Sequence, residues 1–259
     1  MNVKPKKHLG QHFLTDLNTA KKIADALLLR TNNILEIGPG TGVLTQFLID
    51  KNCNLKLIEI DGESVNYLKK NFAGFKGKII EGDFLELDIK TIFNEPLSII
   101  GNFPYNISTE ILFKVLENKD FVTEVVGMFQ KEVAERVASA PGNKNYGIPS
   151  VLLQAFFDIE YLFTVNENVF NPPPKVKSGV IRLIRTHHKK LKSEEQKFKL
   201  IVKSGFNKRR KTLNNSLKPL LPADKSNIPY LNKRPEQLSW EQFDELTIAI
   251  FSLKNQEKA

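Results

Sequence analysis

The sequence is poor in the residues that staple or metallate a small fold. One cysteine, Cys53, among 259 residues excludes a disulfide framework and a cysteine-based zinc cluster. Four scattered histidines leave little material for a metal site, and His187-His188 has no cysteine or carboxylate partner at ligand spacing. No apolar run approaches the roughly 20 residues of a membrane span. The N-terminal Met1-Asn2-Val3-Lys4-Pro5-Lys6-Lys7 also lacks the apolar stretch of a secretory signal. A cytoplasmic chain with no membrane partner and no metal is expected. There is no internal repeat and no low-complexity tract, and Cys53 and the single Trp240 read as packing residues.

With 41% hydrophobic residues, the chain can bury the core of one α/β domain and a smaller appendage. Its charge is unevenly placed. Residues 189–259 hold 16 basic and 8 acidic side chains, while residues 1–188 hold 22 and 21, so nearly all of the +9 excess lies at the C-terminal end. A neutral body with a basic end points to a catalytic or binding core joined to a module that meets a polyanion.

Periodicity predicts a helix over Leu17–Leu29, a buried strand at Ile34–Ile37, a tight turn over Gly38–Gly42 and a helix over Val43–Asp50. Strands follow at Leu55–Ile60, Lys78–Glu81 and Ser98–Gly101, with helices at Glu63–Asn71 and Ser108–Leu116, and a core strand is expected around Val151–Phe157. Alternating strands and helices to about residue 185 imply an α/β fold, a parallel sheet covered on both faces. Helical patterning with scattered proline follows, so the expected domains are 1–187 and 188–259.

Glu36-Ile37-Gly38-Pro39-Gly40-Thr41-Gly42 lies between a predicted strand and helix, where an open α/β sheet binds a nucleotide-like ligand. Gly38 and Gly40 let the backbone approach a ligand that a Cβ would repel. The dinucleotide spacing would need glycine at position 43, which is Val43, and there is no P-loop lysine, so pyrophosphate is not the expected ligand. Glu59, at the end of the second strand, can accept hydrogen bonds from both hydroxyls of a ribose. Asp83, after the third, can accept from an adenine amino group. Two carboxylates favour an uncharged adenosine over a phosphorylated nucleotide.

Gly101-Asn102-Phe103-Pro104-Tyr105 ends the fourth strand. Its chemistry suits an exocyclic aromatic amine, whose lone pair is delocalised into the ring. The Asn102 side-chain oxygen and a backbone carbonyl, that of Phe103, can accept the two N–H bonds and favour a pyramidal, nucleophilic nitrogen. Pro104 keeps the turn rigid so that both acceptors converge. Tyr105 offers a face for a flipped base, a contact of roughly 1–3 kcal/mol.

Together, E-I-G-P-G-T-G at 36–42, I-E-I-D at 58–61, G-D-F at 82–84 and G-N-F-P-Y-N-I-S-T at 101–109 resemble the S-adenosylmethionine-dependent rRNA adenine N6-dimethyltransferases. Three further segments sharpen the likeness. Leu9–Asp16 is similar to the family's G-Q-N-F-L-x-D arm, and Phe170–Ser178 to its F-x-P-P-P-K-V-x-S loop. Phe206–Leu217 resembles the F-x-x-R-R-K-T-x-x-N-S-L helix of the small-subunit branch, known for kasugamycin sensitivity. The likeness spans residues 8–217. It implies a class I methyltransferase fold, Rossmann-like, with a seven-stranded sheet, an antiparallel edge strand and a small C-terminal all-helical domain.

The resemblance places cofactor contacts on His12, Leu14, Gly38, Glu59, Asp83 and Asn102. Target-base contacts fall on Asn102, Phe103, Tyr105 and Phe170. His12 departs from the family's usual Asn. The implied reaction is methyl transfer from S-adenosyl-L-methionine to two adjacent adenosines in the 3′-terminal hairpin of small-subunit (16S) rRNA, within a partly assembled subunit, by a monomer. Two rival readings stay open: a large-subunit rRNA methyltransferase of the macrolide-resistance type, and a noncatalytic assembly factor on the same fold.

Phe170 read alone is a core aromatic before a proline-rich turn; the resemblance makes it a wall of the base pocket opposite Tyr105. Lys208-Arg209-Arg210-Lys211 read alone is a solvated helix face. Lys203–Lys211 carries five basic residues and no acidic one, however, and RNA contact is expected there.

Overall fold

The computed structural model describes residues 3–186, 191–208 and 210–256. His187-His188 and Arg209 lie outside the described residues. The chain divides into two compact units, Met1–Glu135 with Asp158–Arg185, and Arg136–Phe157 with Thr186–Ala259. The expected partition at residue 187 differs in one segment, since 136–157 groups with the C-terminal helices.

From the N-terminus, β1 (Phe13–Leu14) precedes α1 (Leu17–Asp25), β2 (Asn33–Ile37), α2 (Thr45–Ile49), β3 (Asn54–Glu59), α3 (Gly62–Asn71) and β4 (Lys78–Glu81). Then come β5 (Leu97–Asn102), α4 (Ser108–Glu117), β6 (Val122–Gln130) and α5 (Lys131–Ala138). The α6 helix (Ile148–Gln154) leads to β7 (Phe157–Val165), β8 (Phe170–Asn171) and β9 (Ser178–Arg185). Asp16 and Asp61 start α1 and α3 by accepting from the backbone N–H of Thr19 (2.8 Å) and Glu63 (3.2 Å), the usual role of an N-terminal capping carboxylate. Helix α1 is shorter than the periodicity predicts. The Leu28 N–H donates to the Glu124 carboxylate instead, and Leu29 takes a left-handed conformation.

The sheet order is β4-β3-β2-β5-β6-β9-β7. Strands β4 through β6 are parallel, and β9 runs antiparallel to β6. The antiparallel strand is therefore next to the edge, which corrects the expectation that it forms the edge. Burial explains the placement: Val180, Ile181 and Leu183 of β9 are completely buried, whereas β7 alternates apolar residues with exposed Asp158 and Glu160. A strand covered on both faces belongs inside the sheet, and a half-polar one suits its margin. A second correction concerns Val151–Phe157, expected as a strand. Val151, Leu152 and Leu153 lie in α6, whose first turn contains Pro149 and whose Ser150 hydroxyl accepts from the Gly147 N–H at 3.0 Å. A short apolar run is buried equally well by a helix, and the Gly-Ile-Pro-Ser start decides it.

Two features place the site. Strand β2 pairs with β3 on one side and β5 on the other, so the crevice at the carboxyl ends of β2 and β5 is the switch point where such sheets bind ligands. The N-terminal arm is pinned by a separate two-stranded ladder, with Phe13 opposite Asn171 and Leu14 opposite Phe170.

The second unit is helical. Alongside α6 it contains α7 (Glu195–Phe206), α8 (Leu213–Ser216) and α9 (Trp240–Gln256), packed through Phe198, Ile201, Phe243, Leu246 and Ile250. Lys208, Arg210 and Lys211 of the basic run, expected on a helix, lie instead in the connection between α7 and α8, where Lys211 N–H closes a turn on the Lys208 carbonyl at 2.8 Å. Among the described residues no helix is long and apolar enough to cross a membrane.

Candidate active site

A cleft of about 250 Å³ opens at the carboxyl ends of β2, β3 and β5. Gly38 and Gly40 form its floor, both with positive φ (65° and 56°). Gly40 cannot be replaced without movement, because a Cβ there would lie 2.8 Å from the Phe13 ring that the arm brings across the turn. The turn is tied to β3 by Glu59, whose carboxylate accepts from Gly40 N–H and Asp61 N–H, each at 2.9 Å. Glu59 is 4% exposed, and burial raises its pKa above the usual carboxylate range against the pull of those amide bonds. Each carboxylate oxygen has a second lone pair, so two hydroxyl donors can still be accepted. Asp83 is half-buried on the same cleft. One of its oxygens accepts from Leu85 N–H at 2.8 Å, which orients the carboxylate. The apolar walls include Ile37, Ile58 and Phe84.

This set fits an S-adenosyl donor. A glycine floor admits its backbone-hugging part, Glu59 and Asp83 supply acceptors for a ribose and an adenine amine, and the apolar walls suit a purine. Among the described residues no group of histidine, cysteine and carboxylate ligands could hold a metal ion.

The base side is built from Asn102–Tyr105. Asn102 Nδ2 donates to the His12 carbonyl at 2.9 Å, which fixes which way the amide faces. Its Oδ1 has no hydrogen-bond partner among the described residues. The Phe103 carbonyl is equally unengaged, whereas that of Pro104 already accepts from Ile107 N–H and the Ser108 hydroxyl. The Phe103 ring turns inward, 1% exposed, and packs on Phe129 with ring centroids 4.9 Å apart. The missing side chain of Gly127 makes that room, since a Cβ there would sit 2.2 Å from the Phe103 ring. Tyr105 is held by a hydrogen bond of 2.5 Å between its hydroxyl and that of Ser178, and burial raises its pKa despite that bond.

The cleft thus gathers His12, Gly38, Gly40, Glu59 and Asp83 with Asn102, Phe103, Pro104 and Tyr105. Two expected residues do not line it. Leu14 and Phe170 are each 4% exposed and pack in the hydrophobic core with Ile23 and Val165, and Leu14 also lines a small adjoining pocket with Gly38, Pro39 and Asn102. The Val151–Phe157 segment, expected as a strand, is a helix over most of its length. In the second unit Lys208, Arg210 and Lys211 are exposed, and among the described residues none is ion-paired.

The model of the family described as ribosomal RNA adenine dimethylase matches residues 2–246. The chain belongs to this family. It is 56% identical to the ribosomal RNA small subunit methyltransferase A of Parabacteroides distasonis over 99% of this chain and 97% of that one. It is 58% identical to the protein of the same name from Cytophaga hutchinsonii, over 95% and 96% of the two chains. A dimethyladenosine transferase from Plasmodium falciparum superposes with a TM-score of 0.81 at 25% identity, covering 94% of this chain and 98% of that one. The 23S rRNA methyltransferase ErmE gives 0.72 at 26% identity, covering 91% and 99%. Both likenesses bear out the class I methyltransferase fold, seven-stranded sheet included.

Three supports of this dimethylase site carry no role in the sequence reading. Asp61, inside I-E-I-D, binds Lys6 of the arm at 2.5 Å and receives the Ser64 hydroxyl at 2.9 Å, so it joins the arm to the start of α3. Ser178, the last residue of the proline-rich segment, anchors Tyr105. Glu36, at the head of the glycine motif, is 1% exposed and accepts from the Thr45 hydroxyl at 2.7 Å. Burial pushes its carboxyl up to about 8, against the Thr45 bond and reinforced by the nearby Glu59 charge. Only the motif letters hinted at Asp61, Ser178 and Glu36, because each acts through a tertiary partner.

Proposed function

We propose that this protein transfers methyl groups from S-adenosyl-L-methionine to the exocyclic N6 of two adjacent adenosines in the 3′-terminal hairpin of small-subunit (16S) rRNA, giving N6,N6-dimethyladenosine. One observation carries the reading: Asn102 Oδ1 and the Phe103 carbonyl are consecutive unengaged acceptors at the rim of the cleft, and the Asn102 amide is pinned by the His12 carbonyl. These acceptors hold the two hydrogens of the amine and favour the pyramidal nitrogen, an interaction that strengthens toward the transition state. Tyr105, tethered through Ser178, stacks the flipped base. Glu59 holds the ribose and Asp83 the adenine of the cofactor, with Gly38 and Gly40 beneath. When bound, the cofactor supplies an electrophilic methyl group on a sulfonium. No strong general base is needed, because an alkylated aromatic ammonium is acidic enough to release its proton to water.

The small-subunit substrate is supported by the names of the relatives above half identity. The large-subunit alternative rests on a structure at 26% identity. We assign rRNA contact to Lys208, Arg209, Arg210 and Lys211, and place the working enzyme in the cytoplasm as a monomer on a partly assembled subunit. The test is tritiated-methyl transfer to naked 16S rRNA and to undermodified small subunits, with mass spectrometry of rRNA from cells lacking the protein. Dimethyladenosine missing from the 3′ hairpin in those cells supports the reading. No transfer to either substrate overturns it in favour of a noncatalytic assembly factor.

A further inference from the structure

We propose that Lys114, on α4, is a positioning residue that sets Asp83 for recognition of the cofactor's adenine amine, by clamping the turn that follows Asp83. The inference rests on the assignment of Asp83 to that amine and deepens it. Lys114 is not among the residues that line the cleft, yet two contacts join it to those that do. Its Nζ donates to the Leu85 carbonyl at 2.6 Å. The same ammonium lies over the Phe84 ring, 5.3 Å from its centroid, within reach of a cation–π contact.

The turn needs that outside support. The Asp83 carbonyl accepts from Glu86 N–H at 3.2 Å and the Phe84 carbonyl from Leu87 N–H at 3.3 Å, so the turn closes on itself at those positions. The Leu85 carbonyl has no backbone donor among the described residues, and Lys114 completes it. Leu85 is also the residue whose N–H orients Asp83, donating to Oδ1 at 2.8 Å. One residue thus links ammonium to carboxylate: its carbonyl is held by α4 and its amide holds Asp83. Among the described residues Lys114 makes no ion pair, and Asp83 Oδ2 has no partner, so that oxygen is open to a ligand donor. Burial lowers the Lys114 pKa, against the charges of Asp83, Glu117 and Asp88. Phe84 lines the cleft beside Asp83, so any shift of the turn displaces the apolar wall and the acceptor together. An acceptor of this kind works only while its support keeps it in place.

Calorimetry compares two ligands, S-adenosylhomocysteine and its analogue without the 6-amino group, on the parent, Lys114→Met, Lys114→Arg and Asp83→Ala. The readout is the ratio of the two dissociation constants. A loss of global stability lowers the folded fraction for both ligands alike and cancels from that ratio, so a lysine that only stabilises the fold leaves it unchanged. The parent should prefer the adenine ligand about tenfold or more, the effect of one hydrogen bond to a charged group. Lys114→Met keeps the stem without the ammonium and should lower that preference about three- to tenfold, the effect of one lost support. Lys114→Arg should keep it to within about twofold, since the guanidinium can still donate to the carbonyl. Adding Lys114→Met to Asp83→Ala should lower the ratio no further, because the lysine acts through that carboxylate. An unchanged preference in Lys114→Met overturns the proposal, as does a Lys114→Arg variant no better than Lys114→Met, or a further fall in the double variant. Should Lys114→Met not fold, Lys114→Gln, which loses the charge and the reach, is judged by the same ratio. A parent that binds both ligands equally overturns the Asp83 assignment and the proposal with it. No turnover is read, so failure of the rRNA reading leaves each of these outcomes as it stands.

Discussion

The two halves of the cleft are built in different ways. The cofactor half lies on consecutive strand ends within residues 36–83, and its key tie, Glu59 to Gly40 N–H, spans 19 residues. The base half is held together by far longer connections. Asn102 to the His12 carbonyl spans 90 residues, Tyr105 to Ser178 spans 73, and His12 to the Pro172 carbonyl spans 160. One half is a property of the sheet. The other exists only when the N-terminal arm and the 170–178 segment have closed on β5. The contrast teaches that the cofactor side of the cleft draws mainly on strand ends, while the base side depends on segments added around the sheet. Local opening of the arm should then disorganise the base half first.

The sharpest test of that contrast is Asn102→Ala, which removes one of the two acceptors proposed for the target amine. Single-turnover methylation at saturating cofactor and RNA should fall about 10²- to 10³-fold, as when one preorganised polar group is removed. A rate equal to the parent's would remove Asn102 from the chemistry. Next comes Glu59→Ala on the cofactor side. Loss of a charged acceptor costs about 1.5–3 kcal/mol, so calorimetry should show cofactor Kd rising about 10- to 150-fold in a protein that still melts cooperatively. The same position titrated against pH has a defined sign. The Glu59 pKa is raised by burial, and the protonated acid has lost acceptor capacity, so parent affinity should decline as pH falls through that pKa while Glu59→Gln stays flat.

Neither half supplies the charge that meets a polyanion. Replacing Lys208, Arg210 and Lys211 with Gln should lower the slope of log RNA affinity against log salt by about 0.9 for each phosphate no longer neutralised. An unchanged slope would show these exposed residues to be solvent-facing only. A smaller effect is expected from Ser178→Ala, which frees Tyr105. A neutral hydrogen bond is worth about 0.5–1.5 kcal/mol, so RNA KM should rise a fewfold with cofactor Kd unmoved, and a joint change in both would break the division into halves.

An effect of another kind falls on stability. Glu36 has its pKa pushed from 4.5 to about 8 in the folded chain, so over that window the native state binds a proton that the unfolded state has lost, and stability should decrease as pH rises. In Glu36→Gln, thermal denaturation between pH 5 and 9 should lack that part of the decline.

How much of this was legible can be argued residue by residue. Glu59 and Asp83 sit where strand ends put them, so a glycine turn and two carboxylates at successive strand ends sufficed to locate the cleft. Asn102 and Tyr105 were legible as chemistry, but their supports were not. Ser178 is an ordinary hydroxyl until β9 lies beside β6, and Asp61 an ordinary capping residue until Lys6 reaches it. Phe170 shows the opposite case. Its motif points to the pocket, and its strand pairing with Leu14 sends the ring into the core. Val151–Phe157 reads as a strand because a short apolar run has no decisive periodicity of its own.

The sequence by itself determined the strand-turn-helix alternation, the cofactor chemistry at the strand ends and the separation of a neutral body from a basic end. Each depends on residues close along the chain, whose spacing sets their geometry directly. Only the tertiary structure decided that β9 enters the sheet inside β7, that Lys208, Arg210 and Lys211 lie in a connection and not on a helix, and that the His12 ring stands against Tyr105. Those outcomes turn on which apolar surfaces are buried together and on which distant carbonyl or hydroxyl completes each polar group, and both are settled only when the whole chain competes for the same core.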